Sequence, residues 1–400
     1  MGDYKTEKKV EQGGAKRKGR QAEMKKILIA YATAGIGHKK ASLAVKAALD
    51  EIAPKDAEIR IIDSLDYTNP FFKWAYLQSY LFMVNKTPTF WGLLYYLTDN
   101  PIINMAVSKA RRLNNWTNSK KLREYLLFWK PDVIVSTHFF ASEVIGAMKE
   151  KGLLDSRLIT VVTDYRLHSW WIDKSTDIYV VAGEDAKSDL LKWGAPENRI
   201  KVLGIPVEPI FSKSLDPKTI LDKTGLGDDR LTILVISGGF GVGPIEEVVR
   251  TIDSISRPMQ IIAICGHNEA LVKRLEELKP KFKDKMLALG FVNNVYEYME
   301  IADLLISKSG GITVSESLAK ELPILVIAPI IGQETRNCSF VVDHGAAIKV
   351  ERIEDLKEAL EKLTSHPERL VKMREAIQKI KKPSACYDVA KLALETADNI

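Results

Sequence analysis

The sequence predicts an α/β protein built from two doubly wound, Rossmann-like parallel-sheet domains facing a central cleft. Three observations carry this. Short apolar runs alternate with helical patterns along most of the chain, several of those runs end in a glycine turn that opens a helix, and the pattern restarts after the proline-stiffened stretch 204–209. At 400 residues the chain is also too long for one ordinary core. The expected division is a disordered basic tail at 1–23, an N-terminal domain at 24–208 and a C-terminal domain at 216–380. A last helix at 381–400 is expected to cross back to the first domain.

In the first half, an apolar strand at 26–33 runs into Ala34-Gly35-Ile36-Gly37-His38 and a helix over 39–52. His38 falls at or near the helix start, facing the cleft. The positive helix end depresses its pKa and favours the neutral imidazole that a general base needs. The plainer reading is a histidine that caps the turn. After a strand at 58–63 comes an aromatic stretch, 69–98. It holds Trp74, Tyr76, Phe82, Trp91 and Tyr95 among ten of the chain's 32 aromatics, with Lys73 and Lys86 as the only charges between 71 and 96. A helix apolar on all sides fits either a membrane interface or a buried helical hairpin. The helical pattern continues over 102–129, where Arg111 and Arg112 read as part of a solvated face.

A strand at 132–137 ends at His138, a helix follows at about 141–151, and a strand at 157–163 ends in Thr163-Asp164. Strand ends of a parallel sheet line one edge, so His38, His138 and Asp164 are expected to share a cleft. Asp164 orients an imidazole, accepts a proton itself, or caps the next turn. In the loop beyond, His168 reads as an exposed histidine. Strands at 177–182 and 200–203, with a helix at 184–193, complete this half.

The second half repeats the scheme. A strand at 231–236 meets the turn Ser237-Gly238-Gly239-Phe240-Gly241-Val242-Gly243, with Pro244 at the first helical position. Strands at 259–265 and 286–289 and helices at 268–278 and 294–299 lead to the stretch 303–337. There a strand runs into Ser309-Gly310-Gly311 and a helix, then a second strand into Gly332-Gln333-Glu334, with Asn337 beyond. Backbone N–H groups at a helix start suit a phosphate, although a glycine pair here also serves as a tight turn alone. An amide, a carboxylate and a second amide at a strand end suit sugar hydroxyls.

Several chemistries are disfavoured. Neither turn is a G-x-x-x-x-G-K-[ST] loop, the Gly35/Gly37 pair lacks a third glycine for a dinucleotide, and no D-x-D pair offers metal-binding carboxylates. Glycine turns and a helix N-terminus can neutralise a diphosphate without a metal, and no cofactor is expected.

Charge is informative by its location. The net charge is +6, but 1–26 carries nine basic against four acidic residues, leaving 49 against 48 in the rest. A nearly neutral body argues against a nucleic-acid partner. The basic tail has no apolar core of a signal peptide and suits either solvent or an anionic membrane surface. Cys265, Cys338 and Cys386 form no C-x-x-C pair, consistent with a reducing cytosol. No apolar run approaches bilayer length, so any membrane contact is expected to be peripheral, at the cytoplasmic face.

These residues together resemble glycosyltransferase family 28, in particular the diacylglycerol glycosyltransferases. The resemblance runs from about 26 to 350. It rests on Gly35-Ile36-Gly37-His38 with Ala41, Val161-Val162-Thr163-Asp164 with His168 and Trp171, Gly204-Ile205-Pro206-Val207, Lys308-Ser309-Gly310-Gly311-Ile312-Thr313 with Glu316, and Gly332-Gln333-Glu334 with Asn337. Trp91-Gly92-Leu93-Leu94-Tyr95-Tyr96 is similar to the lipid-acting branch.

The resemblance implies a GT-B fold that transfers glucose or galactose, with inversion, from a UDP-sugar to the hydroxyl of diacylglycerol. His38 would be the base, helped by Asp164. Gly310, Gly311, Ile312 and Thr313 would hold the diphosphate and Glu316 the ribose or neighbouring donor groups, while Gln333 and Glu334 would bind sugar or ribose hydroxyls, with Ser309 and Asn337 also on the donor side. Phe291 and Val292 would frame the uracil, and Gly238 and Gly239 would lie on the same donor side. Gly37, Trp74, Tyr76, Phe82, Trp91, Tyr95, His168 and Trp171 would face acceptor or membrane. The sequence departs from the family in its short glycine run at 35–37 and in Ser237-Gly238-Gly239-Phe240. Those departures leave donor and acceptor identity open, and a homodimer is neither required nor excluded. A polyprenyl-linked peptidoglycan precursor as acceptor, or a UDP-GlcNAc 2-epimerase reaction, are the alternatives on the same architecture.

Overall fold

The computed structural model describes residues 24–33, 35–53, 55, 57–236 and 243–399, the side chains of Tyr80 and Asn85 excepted. The basic tail at 1–23 and the turn carrying Gly238 and Gly239 lie outside the described residues. The first sheet contains β1 (Lys25–Tyr31), β2 (Ala57–Asp63), β3 (Val133–Ser136), β4 (Arg157–Val161), β5 (Ile178–Val181) and β6 (Ile200–Val202), in the order β2-β1-β3-β4-β5-β6. The second contains β7 (Leu231–Ile236), β8 (Met259–Ile264), β9 (Lys285–Leu289), β10 (Leu304–Ser307), β11 (Ile324–Ile327) and β12 (Ala347–Val350), in the order β12-β11-β10-β7-β8-β9. All pairings are parallel. This is the doubly wound α/β class that the sequence predicts.

Strand order fixes where a ligand can sit. Open sheets bind ligands where strand order reverses, because neighbouring connections there diverge to opposite faces and leave a crevice. In the first sheet the reversal lies between β1 and β3, whose following turns carry His38 and His138. In the second it lies between β7 and β10, and the turn after β10 is Ser309-Gly310-Gly311.

The strands are apolar on both faces, as a sheet covered twice requires. Ile27, Ile29, Val133, Val135, Ile159 and Val161 point to one side, under helix α1 (Ile36–Ile52). Leu28, Ala30, Ile134 and Leu158 alternate to the other side. Between β2 and β3 the chain inserts four helices, α2 (Pro70–Lys86), α3 (Pro88–Thr98), α4 (Pro101–Asn118) and α5 (Lys120–Trp129), before α6 (Phe139–Glu150). Asn69 and Asn100 cap α2 and α4 through their side chains, and a proline occupies the first turn of α2, α3 and α4.

The single helix expected over 102–129 is in fact α4 and α5, broken at Ser119. Ser119 is fully buried, and the Trp116 carbonyl freed by the break accepts from the Ser119 backbone and from Arg123. The last helix, Ala385–Asp398, buries Ala385, Cys386, Val389, Ala390 and Ala393, and several of these join the Ile27/Ile29 face of the first sheet. Two stretches of chain therefore cross between the halves, and they touch. At Gly204, with φ of +97°, a side chain would lie 2.4 Å from Lys382 Cβ.

The halves share one apolar cluster, in which Ala41, Tyr165 and Ile205 of the first meet Ile312, Val314 and Phe340 of the second. Tyr165 stacks on Phe340 at 4.5 Å and its hydroxyl lies 2.9 Å from Ser315 Oγ. Gly311 comes so close to the end of β4 that a Cβ there would lie 2.2 Å from the Thr163 carbonyl oxygen.

Candidate active site

Gly35, at φ +125°, lets the chain turn from β1 into α1 and sets His38 in the first helical turn. The His38 Nδ1 lies 2.7 Å from the Thr137 carbonyl oxygen and 3.0 Å from Thr163 Oγ1. A carbonyl only accepts, so Nδ1 carries the proton and Nε2 keeps its lone pair. Burial pushes the imidazole pKa down to about 4, against the pull of the Thr137 carbonyl. This favours the neutral form expected from the sequence, with burial as the cause where the sequence points to the helix end.

His138 stands edge-on to His38, ring centroids 4.4 Å apart. Its Nδ1 accepts the Phe140 backbone N–H at 3.0 Å, and burial and His38 together hold its pKa well below the usual range. Asp164 lies at the end of the neighbouring strand β4. Burial raises its carboxyl to about 6, opposed by Asn337, Trp171 and Arg336. His38, His138 and Asp164 line one cavity of about 520 Å³, which Gln333 reaches from the other half.

The rest of that cavity is largely aromatic. Tyr76, Trp91, Tyr95, His168 and Trp171 line it, together with Phe72, Phe139 and Trp170. His168 is 3% exposed, not the exposed loop histidine expected. Its Nε2 donates to the Tyr95 carbonyl at 2.8 Å and its Nδ1 accepts the Trp170 N–H, which pins the loop onto α3. Trp91 and Tyr95 are likewise buried, whereas Trp74 and Phe82 are exposed at 59% and 60%. One aromatic stretch thus supplies both an inner wall and an outer apolar surface. The outer surface extends onto α4 through Ile102 and Met105, which sequence reading did not single out.

Gly37 sits at the seam, where a Cβ would meet Ile312 at 3.4 Å. On the far side, Gly311 and Ile312 begin the helix Gly311–Ala319, with Gly310 at its N-cap and Thr313 in its first turn. Ser309 is fully buried and donates to the Glu334 carbonyl at 2.7 Å, joining the two loops expected to act together. Phe291 is half exposed and stacks on His267 at 4.5 Å, with Val292 beside it.

Three polar residues of this half are engaged within the protein. Glu316 is buried and accepts from Lys40 of α1 at 2.8 Å, its pKa raised by burial and drawn back by that lysine. Glu334 accepts the Ile330 N–H at 2.7 Å. Asn337 is fully buried, accepting the Tyr165 N–H at 2.8 Å and facing Asp164 at 3.5 Å. Its amide therefore clamps the strand end that carries Asp164, a role set by packing between halves that spacing alone does not display.

Arg336 makes a second strut. It donates to Asp99 Oδ2 at 2.5 Å and to the Leu167 carbonyl at 2.7 Å, and lies over the Tyr95 ring at 5.1 Å. Arg111, read from sequence as solvated, instead pairs with Glu143 at 3.1 Å and reaches the cavity. Its neighbours come from α6, distant in sequence, so no local pattern marks it. Among the described residues no cluster of three or more His, Cys, Asp or Glu is arranged to hold a metal ion. Nor is any described helix long and apolar enough to cross a membrane.

Solved structures with this fold span nearly the whole chain. The Acinetobacter baumannii MurG structure matches with a TM-score of 0.61 at 15% identity, covering 93% of this chain and 99% of its own. The Staphylococcus aureus MnaA structure with UDP matches with a TM-score of 0.62 at 15% identity, covering 94% and 98%. Two doubly wound parallel sheets facing each other across a cleft are the GT-B fold.

Residues 38–207 match the family model described as monogalactosyldiacylglycerol (MGDG) synthase, and 232–389 match the glycosyltransferase family 28 C-terminal domain. The processive diacylglycerol beta-glucosyltransferase of Bacillus pumilus is 30% identical over 384 residues, covering 94% of this chain and 96% of the relative. The protein of that name from Staphylococcus haemolyticus is 31% identical over 381 residues, covering 94% of each. The chain belongs to glycosyltransferase family 28, within the diacylglycerol glycosyltransferases.

Proposed function

We propose that this enzyme transfers a hexose, glucose or galactose, from a UDP-sugar to the free hydroxyl of diacylglycerol, with inversion and without a metal. The observation that carries this reading is the aromatic cavity of about 520 Å³ with His38 in its wall. An apolar chamber leading to one neutral imidazole suits a substrate that is hydrocarbon in bulk and reacts through a single hydroxyl. The names of the relatives support the same acceptor.

In this mechanism the acceptor hydroxyl donates to the Nε2 of His38. The oxygen attacks the anomeric carbon as the bond from that carbon to the diphosphate oxygen breaks, and the hydroxyl proton passes to Nε2. The Nδ1–H bond to the Thr137 carbonyl holds the ring in the required tautomer and steadies the imidazolium that forms. Asp164, ionised above about pH 6, adds negative charge to the same cavity. The N-terminus of helix Gly311–Ala319 offers N–H groups to the leaving diphosphate, with Ser309, Ile312 and Thr313 around it. Gln333 and Glu334 serve the hexose, Glu316 the ribose once Lys40 yields it, and Phe291 and Val292 the uracil. The absence of D-x-D supports doing this without a divalent cation.

Trp74 and Phe82, with the exposed face of α4, rest on the cytoplasmic membrane surface, where the acceptor resides. The deciding experiment is mass spectrometry of lipids formed from UDP-glucose or UDP-galactose with diacylglycerol vesicles, with and without EDTA. A hexosyl-diacylglycerol of inverted configuration, formed equally in EDTA, is expected, its mass giving the number of sugars added. A new UDP-sugar without lipid product would overturn the reading in favour of an epimerase.

A further inference from the structure

The cavity is apolar, yet residues of its wall carry polar hydrogens that no described residue accepts. Trp170 Nε1, Tyr95 Oη and Arg111 Nη1 are shut off from solvent and have no hydrogen-bond partner among the described residues. A buried donor without a partner is costly, and one wall carrying three points to a bound group that completes them. The three belong together. The Tyr95 and Trp170 rings are 6.3 Å apart, the Arg111 guanidinium lies 5.8 Å from the Trp170 ring, and all three residues line the cavity that holds His38. Tyr95 itself is only 2% exposed.

The chemistry of the missing partner follows from what these atoms can do. Indole and guanidinium N–H groups only donate, and burial keeps the Tyr95 hydroxyl protonated. The partner must therefore accept. It need not be charged, because Arg111 is already paired with Glu143, which Asn115 also contacts at 2.9 Å, and Arg336 nearby is paired with Asp99. A site with no spare positive charge favours a neutral acceptor over a phosphate or carboxylate. The two buried carboxylate oxygens without a partner among the described residues, Glu143 Oε1 and Asp284 Oδ2, both belong to residues outside the cavity wall.

We propose that Trp170, Tyr95 and Arg111 form a subsite for the ester carbonyls of the acceptor, so that the enzyme selects ester-linked over ether-linked diradylglycerol. This rests on the diacylglycerol reading above. It assigns Trp170 and Arg111 a specificity role and gives the buried Tyr95 hydroxyl a task. Anchoring the esters here leaves the glycerol hydroxyl to reach His38, and the acyl chains fill the aromatic remainder.

The test compares 1,2-diacylglycerol with 1,2-di-O-alkylglycerol of equal chain length, in vesicles, for the wild type, Trp170→Phe and Tyr95→Phe. Tyr95→Phe removes one donor and keeps the ring, and Trp170→Phe removes one donor and keeps a smaller aromatic ring. The wild type is expected to prefer the ester by about ten-fold or more in kcat/KM. Each variant is expected to lose about three- to ten-fold on the ester and less than about two-fold on the ether, with UDP affinity unchanged. Equal losses on both lipids, or a wild type that does not discriminate, overturns the proposal. If the wild type glycosylates neither lipid, the acceptor reading itself has failed. Matching thermal melts identify folded variants, and Arg111→Lys, which keeps a charge on Glu143 but loses the fork, repeats the comparison should either aromatic variant unfold.

Discussion

The two halves have the same architecture and use their reversal points in opposite ways. At the β1/β3 edge the first half presents side chains: two neutral histidines, a carboxyl at the end of β4, and rings from an insertion of four helices. At the β7/β10 edge the second half presents backbone, through Ser309-Gly310-Gly311 at a helix start, and its side chains are mostly tied to one another or to the first half. Backbone N–H groups recognise a diphosphate common to many donors. Side chains are what distinguish one acceptor from another and what move a proton. On the proposed function, acceptor choice and chemistry would reside in one half and donor grip in the other.

The sharpest way to break that division is His38→Ala. Turnover is expected to fall by about 10²–10⁴-fold while UDP affinity, measured by calorimetry, stays near wild type. A comparable loss of UDP affinity would mean that the two edges do not have separate tasks. Next comes Asp164. With its carboxyl near 6 and His38 near 4, protonation of Asp164 precedes that of His38 as pH falls. The kcat/KM profile should decline below about pH 6, and Asp164→Asn should be slower yet lack that limb. A limb that survives the substitution belongs to another group.

Gly311→Ala probes the seam. Its Cβ would meet the Thr163 carbonyl at 2.2 Å, so stability in urea should drop by about 1–3 kcal/mol, and activity should drop with it. Full activity would show that the halves need not meet there. The smallest expected effect on the folded state is that of Trp74→Ser with Phe82→Ser. Both rings are exposed, so the melting temperature should hardly move while vesicle sedimentation falls by about ten-fold or more. Early melting with unchanged vesicle binding would assign these rings to the core instead.

Much of this was legible in the sequence because it is written locally. Alternating strands and helices, the glycine turns, and His38 and Asp164 at strand ends depend on near neighbours and on parallel topology. What stayed hidden depends on distant pairs. Asn337 reads as a sugar ligand until Tyr165 is seen beside it, and Arg111 reads as solvated until Glu143 is brought up by α6. His168 reads as exposed until α3 folds over it. The aromatic stretch posed a choice between core and membrane, and α2 and α3 each turn one side to the cavity, through Tyr76 and Trp91, and another outward, through Trp74 and Phe90. Helical periodicity could not assign the faces while nearly every position was apolar.

The contact between the two crossings at Gly204 and Lys382 has a consequence for how the molecule could be taken apart. Because the last helix is built into the first sheet's core, a cut in the linker between β6 and β7 would not release two independent pieces. The C-terminal fragment would still insert Ala385–Asp398 among Ile27, Ile29 and Val133 of the other. Coexpressed as two chains divided near residue 214, the halves should find each other and restore activity. A C-terminal fragment ending at 380 should restore much less, since it loses that helix and keeps the seam contacts around Tyr165 and Phe340.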